Sequence, residues 1–368
     1  MLRSFGDRII EFPLWMIIAG AFFTAFVISW VAIPSIVKVS ELKGLFDEPN
    51  HRTSHTRKVP TLGGSAIFMG LIITISVFSG PGIDHELKYI IASMLILFFI
   101  GIKDDVLIID PKKKLLSQFI AAAIVAILGN IRITSFQGFL GIGEISYLAS
   151  ILFTIFVVIV VINGVNLIDG IDGLASGVGI VVGLFYATWF IFSRYTSYGV
   201  LSIALVGSLL AFFYFNVFGK ANKIFLGDTG SLIIGLILAI LTVRFLEYNI
   251  TATGKLHINS APVVAFGILI VPLFDTLRVI LIRLFQGKSP FKADKQHVHH
   301  RLLQLGNSHL KATTIILVTN LLFIMFGLVF QGIRSVSLIF IEIFLATILS
   351  FLPVIILNRK SRERSDFS

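Results

Sequence analysis

Long apolar runs separated by short polar loops set the pattern of the whole chain. Pro13 to Val37 contains no charged residue. A helix needs roughly 20 apolar residues to cross about 30 Å of hydrocarbon. Eleven runs approach or meet that length: 13–37, 62–79, 88–102, 115–129, 147–167, 173–192, 198–218, 229–247, 261–284, 311–331 and 335–357. The third and fourth are short. The pattern therefore predicts an all-α integral membrane protein with eleven spans, or ten if one short run does not cross. Between the fourth and fifth runs, "RITSFQGFLGIGEI" alternates apolar and polar residues around glycines, which predicts a small hairpin near 131–145. The first run is too long for a signal-peptide core and lacks a small-residue cleavage site, so it reads as a retained span. No internal repeat marks two inverted halves. The expectation is one membrane domain over 1–357 and a basic tail over 358–368.

Composition agrees with this pattern. Of 368 residues, 56% are hydrophobic and 14% charged, and the mean hydropathy is +0.95. A soluble domain carries about 25% charged residues. The absence of cysteine excludes disulfides, zinc–thiolate sites and iron–sulfur clusters. Lys and Arg divide 21 to 8 between alternate loops, with Arg278 inside a run. The positive-inside rule then puts the N-terminus outside and the C-terminus in the cytoplasm. The +10 net charge is this asymmetry and calls for no nucleic-acid partner.

The acidic residues gather in three loops of the cytoplasmic set. "GIKDDVLIID" carries Asp104 and Asp105, "NGVNLIDGIDGLA" carries Asn166, Asp169 and Asp172, and "NKIFLGDTGS" carries Asp228. Asp-Gly is a turn dipeptide, and an Asp before a span serves as a helix N-cap. Those roles account for any one loop but not for the absence of Lys and Arg from 163–172. Burial in mid-membrane costs about 2.5–3.5 kcal/mol per Asp, so the acids belong at the interface or in a wet cleft. Close carboxylates repel by up to ~4 kcal/mol per pair at an effective dielectric of about 20. A divalent cation relieves that repulsion, and oxygen-only ligands favour Mg²⁺ or Mn²⁺ over Zn²⁺.

A fourth cytoplasmic loop, "SPFKADKQHVHHRLLQLG", supplies Lys292, Lys295, His297, His299, His300 and Arg301. On a helix, His297 and His300 share a face while His299 points away, which argues against a zinc site. Arg and imidazole together suit phosphate oxygens. The first such loop, "LFDEPNHRTSHTRKVPTLGG", also mixes His, Arg and Lys with a Gly-Gly pair that lets backbone approach a ligand. Acids suited to a metal beside bases suited to phosphate, at a membrane surface, suggest phosphoryl transfer between a soluble nucleotide and a lipid.

"DEPNHRTSHTRKVPTLGG", "IKDD", "NGVNLIDGIDGLA", "FLGDTGS" and "DKQHVHHR" occur in order from about residue 45 to 306. In this the chain resembles the polyprenyl-phosphate N-acetylhexosamine-1-phosphate transferases, glycosyltransferase family 4, the group that includes the WecA, TagO and MraY enzymes. The resemblance implies a multi-pass protein of the bacterial cytoplasmic membrane with its catalytic loops on the cytoplasmic side. It implies attack by a polyprenyl (undecaprenyl) phosphate on a UDP-N-acetylhexosamine, with Mg²⁺ and release of UMP. The bilayer is a partner, nucleic acid is not, and a homodimer is compatible with such an enzyme.

Carried over, Asp228 resembles the principal metal ligand, with Asn166 as its companion. Asp169, Gly170 and Asp172 resemble the lining of the sugar-nucleotide pocket, and Phe225 would stack on the uracil. Asp104 matches an orienter or base, which Asp105 helps to hold in place. His297, His299, His300 and Arg301 resemble the basic cluster facing the diphosphate and sugar, and Lys58 would touch a phosphate. The basic-free loop 163–172 then reserves its carboxylates for the metal and the nucleotide. Muramoyl-pentapeptide transferases carry three consecutive histidines where this chain has His-Val-His-His-Arg, so the resemblance is to the branch using simple UDP-N-acetylhexosamines, GlcNAc foremost. A transporter is the alternative of another class. It predicts acids in mid-span, paired across repeats, whereas here the acids gather in loops on one side and the notable intramembrane pair, Asp275 and Arg278, lies near the inner end of the ninth run.

Overall fold

The helix that begins at the "FLGD" motif is the axis of the molecule. In a computed structural model that describes residues 13–46, 59–78, 84–107, 109–287 and 296–365, it runs from Gly227 to Thr251. Every residue from Thr229 to Leu246 on it is buried. A helix apolar on all sides belongs in the middle of a bundle, and these residues span about 27 Å at 1.5 Å each.

In chain order the helices are α1 (Leu14–Lys43), α2 (Gly63–Phe78), α3 (Asp84–Leu107), α4 (Pro111–Ala123), α5 (Tyr147–Ile168), α6 (Leu174–Phe192), α7 (Thr196–Phe218) and α8 (Gly227–Thr251). They continue with α9 (Ala261–Ile268), α10 (Ile270–Phe285), α11 (Val298–Gln304), α12 (His309–Val329) and α13 (Ser335–Ser365). A π-helical turn, Ile124–Leu128, extends α4. All eleven predicted runs are helical. Among the described residues, seven helices are long and apolar enough to cross a membrane, or eight if α9 and α10 count as one. The runs at 62–79, 88–102 and 115–129 form α2, α3 and α4, which fall below that length or apolarity.

The run at 261–284 is not one straight span. It breaks between α9 and α10 with a bend of 78°. Pro272 lacks the N–H that would bond to the Ile268 carbonyl one turn earlier. Asn320 Nδ2 of α12 donates to that carbonyl instead, at 3.0 Å.

Close approach of backbones fixes α8 against its neighbours. A Cβ on Gly64 of α2 would overlap the backbone of Gly230. Gly63 and Gly64 N–H donate to the carbonyls of Phe225 and Leu226 at 3.0 and 2.9 Å, and Phe225 N–H donates to Pro60 at 2.7 Å. The segment before α2 is thereby stitched to the segment before α8.

The hairpin lies at the other end of α8. Ser135 and Glu144 form an antiparallel bridge. Glu247 of α8 accepts from Thr134 N–H at 2.7 Å and from Thr134 Oγ1 at 2.8 Å. At the same end, Arg244 pairs with Glu86 of α3 at 2.5 Å and donates to Tyr198 of α7 at 2.9 Å, and Tyr198 also donates to Glu86. Sixteen residues separate Arg244 from Asp228, about 24 Å along one helix. The acidic loops thus occupy one end of the bundle and this charged cluster the other.

Candidate active site

Asp228 stands in the first turn of α8, where three loops meet. The chain enters through Gly227 with φ +71°, and a Cβ there would strike the Thr61 carbonyl and both carboxylate oxygens of Asp105. Only glycine combines that left-handed conformation with so close an approach. Asp105, near the C-terminal end of α3, accepts from Asp228 N–H at 2.6 Å, Thr229 N–H at 3.1 Å and Thr229 Oγ1 at 2.6 Å. It caps α8 from another helix, where unpaired N–H groups and the helix dipole favour a carboxylate. The sequence reading had Asp105 holding Asp104; its hydrogen bonds hold the "GDT" turn instead, because the cap donors lie within its reach.

Asp104 and Asp228 are joined through Lys114, the last of the three lysines that open α4. Lys114 Nζ lies 2.5 Å from Asp228 Oδ1 and 3.1 Å from Asp104 Oδ2. Asp104 Oδ1 accepts from Ile109 N–H at 2.7 Å. Asn166, in the last turn of α5, donates through Nδ2 to Asp228 Oδ1 at 2.5 Å and to Ser231 Oγ at 2.8 Å. Asn166 Oδ1 makes no hydrogen bond among the described residues, and the carboxyl groups of Asp104 and Asp228 also interact directly.

The loop after α5 brings the next two acids. Asp169 is half-buried and its carboxylate has no hydrogen-bond or ion-pair partner among the described residues. Desolvation first, then the charges of Asp228, Asp105 and Asp172, push it well above the usual carboxylate range. Asp172 behaves oppositely. Burial alone would raise it, but His309 and Lys223 hold it below its ordinary value. Lys223 Nζ is 2.7 Å from Asp172 Oδ2, and His309 Nδ1 is 3.3 Å from the same oxygen. Asp172 therefore also has a cation from this chain beside it, brought by the loop before α8, which the absence of basic residues from 163–172 does not reveal. Lys223 also lies 6.0 Å from the centroid of the half-buried Phe225 ring.

The histidine arm meets the acids at Gly170. A Cβ on Gly170 would overlap His299 Nε2, and that nitrogen is buried without a hydrogen-bond partner among the described residues. Desolvation, then the neighbouring His300, press His299 down to about 3. The arm is fastened by Asp275 of α10, which accepts from Arg278 at 2.8 Å, pairs with His297 Nδ1 at 2.9 Å and accepts from Val298 N–H at 3.2 Å.

The expected arrangement of the histidines needs correcting. His297 and His299 stack at 5.6 Å rather than pointing apart, and His299 and His300 are 4.2 Å apart. His297 is the N-cap with ψ 147°, outside the helix, so helical spacing does not apply to it. Arg301 donates to Gln304 at 3.1 Å, and its Nε is buried without a partner among the described residues. Lys58, Lys292 and Lys295 lie outside the described residues. Beside His299 and Asp275 an apolar cavity of about 340 Å³ opens between α10, α11, α12 and α13.

Lys114, Lys223, His309 and the Asp275–Arg278 clamp carry weight that the sequence reading did not give them. Lys114 had a signal: with Gln118, Ala121 and Ala122, buried at i+4, i+7 and i+8, it shares the inner face of α4. Nothing in the sequence pairs Lys223 with Asp172.

The donor set fits a hard divalent cation. Five carboxylates and the open amide oxygen of Asn166 face two ammonium groups, and Asp169 has no counter-charge among the described residues. Among the described residues no three His, Cys, Asp or Glu side chains converge on one point. A Mg²⁺ held by one or two protein oxygens and completed by substrate phosphates requires no such convergence.

Residues 87–246 match the family described as "Glycosyl transferase family 4". The undecaprenyl-phosphate alpha-N-acetylglucosaminyl 1-phosphate transferases of Salmonella typhi and Escherichia coli (strain K12) are each 30% identical over 286 residues, 76% of this chain and 74% of theirs. The decaprenyl-phosphate N-acetylglucosaminephosphotransferase of Mycobacterium tuberculosis (strain H37Rv) is 28% identical over 321 residues, 80% of this chain and 77% of its own. The matched stretch contains the carboxylates from Asp104 to Asp228 that meet at the head of α8, and with similarity at this level over three quarters of the chain, the protein belongs to glycosyl transferase family 4.

Proposed function

We propose that this membrane transferase moves N-acetylglucosamine 1-phosphate from UDP-GlcNAc to a polyprenyl phosphate, undecaprenyl phosphate foremost. A phosphate oxygen of the lipid attacks the β-phosphorus of the donor. The bond from that phosphorus to the bridging oxygen breaks, so UMP leaves and a polyprenyl-diphospho-sugar remains. The observation that best supports this reading is the meeting of carboxylates from three distant loops beside a histidine arm and an apolar cavity, in a chain whose relatives carry those names.

Asp228 and Asn166 would hold Mg²⁺, or Mn²⁺, through their side-chain oxygens. The ion would supply positive charge to the diphosphate as the leaving group departs. Asp105 keeps Asp228 in place through the head of α8. Phe225 stacks on the base, Asp169, Gly170 and Asp172 line the nucleotide pocket, and Lys58 adds a phosphate contact. His297, His299, His300 and Arg301 face the diphosphate and sugar. A phosphomonoester has its second pKa near 6, so the lipid phosphate is already largely dianionic, and Asp104 orients it through Lys114 more than it deprotonates it. The cavity beside His299 would take the start of the prenyl chain.

The site would face the cytoplasm from the bacterial inner membrane, as the distribution of Lys and Arg supports. Such a step supplies lipid-linked sugar for teichoic acid, lipopolysaccharide or another cell-wall glycan. The deciding experiment incubates the purified protein with polyprenyl phosphate, Mg²⁺ and a panel of UDP-sugars and measures UMP. Release of UMP with UDP-GlcNAc, dependent on the lipid, is the expected result. No UMP with any N-acetylhexosamine donor would overturn the reading.

A further inference from the structure

Burial alternates along the segment before α8. Ile224 and Leu226 are buried, while Lys223 and Phe225 are half-buried and share the opposite side. Lys223 reaches Asp172 Oδ2 at 2.7 Å and stands 6.0 Å from the Phe225 ring centroid. The ion pair does not assemble itself. Asn216, buried in the last turn of α7, accepts from Gly173 N–H at 2.6 Å and donates to the Ile224 carbonyl at 2.9 Å. It thereby clips the residue after Asp172 to the residue after Lys223.

The pair is not saturated. An ammonium has three donors, and among the described residues Lys223 spends one. Asp172 Oδ2 takes both Lys223 and His309, whereas Oδ1 has no contact among the described residues. The side chains keep 30% and 16% of their surface, so a ligand can reach them. Beside an aromatic ring, one open acceptor and one open donor stand next to each other.

We propose that Lys223 is a specificity-determining residue that, with Asp172, reads the base of the nucleotide donor. Uracil presents a ring N–H between two carbonyl oxygens. Asp172 Oδ1 accepts that N–H and Lys223 donates to the C4 carbonyl, the one that cytosine replaces by an amino group. Cytosine presents a bare nitrogen acceptor beside an amino donor. It would set a lone pair against the carboxylate and N–H groups against the ammonium. A site made to hydrogen-bond one edge rejects the other because its own groups are left unpaired. The inference rests on the reading of this site as one for a UDP-sugar.

The test compares UDP-GlcNAc with CDP-GlcNAc in wild type, Lys223→Met and Lys223→Arg, measuring kcat and KM separately. Wild type is expected to favour the uridine donor by at least ~100-fold in kcat/KM, two mismatched hydrogen bonds at about tenfold each. Lys223→Met should raise KM for UDP-GlcNAc about tenfold, hold kcat within twofold and narrow the preference. Lys223→Arg should restore most of it. A purely structural ion pair would lower the yield of folded protein or kcat and leave base preference intact.

Should Lys223→Met not fold, protection of the wild-type protein against heating by UMP and by CMP replaces it. UMP should protect at concentrations at least ~10-fold lower. Unchanged KM and base preference in Lys223→Met, or equal protection by the two nucleotides, overturns the role of Lys223 while leaving the transferase reading intact. Failure of wild type to use any UDP-N-acetylhexosamine removes both.

Discussion

Lys114 Nζ of α4 lies 2.5 Å from Asp228 Oδ1 of α8, so the candidate metal ligand is already paired with a cation from the same chain. The same ammonium lies 3.1 Å from Asp104 Oδ2. It offsets repulsion between two acids that substrate and metal would otherwise have to meet unscreened.

Two variants separate the roles. Asp228→Asn should fold and insert but lose at least ~100-fold in turnover, since it removes the charge on which metal binding depends. Lys114→Met should lose at least ~10-fold in turnover, yet reach half-maximal rate at a lower Mg²⁺ concentration, because the uncompensated acids attract the ion more strongly. A metal titration of UMP release measures both. If Asp228→Asn retains a tenth of wild-type activity at saturating Mg²⁺, it is not the principal ligand.

Arg244 and Glu86 mark the opposite end of α8 and have no contact with the acids. Removing one partner of a buried pair costs about 3–5 kcal/mol, so Glu86→Gln and Arg244→Met should each lower the apparent melting temperature in detergent. Activity per folded molecule should change little, about 24 Å from Asp228 along the helix. The double variant should lose less than the two single losses combined. Additive losses would show that the pair is not coupled.

Much of this was legible in the sequence. Apolar length located all eleven helical runs, and the loop acids pointed to one end of the bundle. The break at Leu269 was hidden because Pro272 sits inside an apolar run, and Asn320, which takes over the freed carbonyl, is 52 residues from Ile268. Partners were equally out of reach, since Lys114 finds Asp228 across 114 residues and Lys223 finds Asp172 across 51. Composition tells which charges exist; only the fold tells which of them meet. The histidines misled for a local reason. Helical spacing was applied to His297, which is the cap and not part of the helix.

Orientation has a direct check. The chain has no cysteine, so single cysteines at Ala221 and Thr253 would label against a clean background. The 21-to-8 division of basic residues predicts that position 253 reacts with an impermeant thiol reagent in intact cells and position 221 only after lysis. Labelling of position 221 from outside would turn the site away from cytoplasmic UDP-sugars.

His299 predicts a pH dependence of stability. Burial, and then the neighbouring His300, press it down to about 3 in the fold, below its ordinary value of 6.5. Between those values the unfolded chain binds a proton that the folded chain refuses, so stability rises with pH across this window. The contribution is complete above about 6.5 and is lost as pH falls towards 3. Melting in detergent from pH 7 to 4 should therefore be steeper for wild type than for His299→Asn. Parallel curves would mean that His299 titrates normally in the fold.

The last prediction concerns Arg301 and the identity of the donor. Arg301 lies two residues beyond the buried His299, and among the described residues its Nε is buried without a partner while one Nη donates to Gln304 at 3.1 Å. A guanidinium with an unspent donor beside a candidate phosphate pocket suits a planar, two-pronged grip on diphosphate oxygens, and lysine cannot reproduce both prongs. Loss of one charge-assisted bond, about 1.5–3 kcal/mol, corresponds to at least ~10-fold in rate at 1.36 kcal/mol per decade. Arg301→Lys should therefore fold, insert and turn over UDP-GlcNAc at least ~10-fold more slowly than wild type. In the same assay the wild-type protein should use UDP-GlcNAc or a close epimer and ignore UDP-MurNAc-pentapeptide, as the His-Val-His-His-Arg sequence of the arm implies. A fully active Arg301→Lys would remove the diphosphate role. Comparable turnover of the muramoyl donor would place the protein in the other branch of the family.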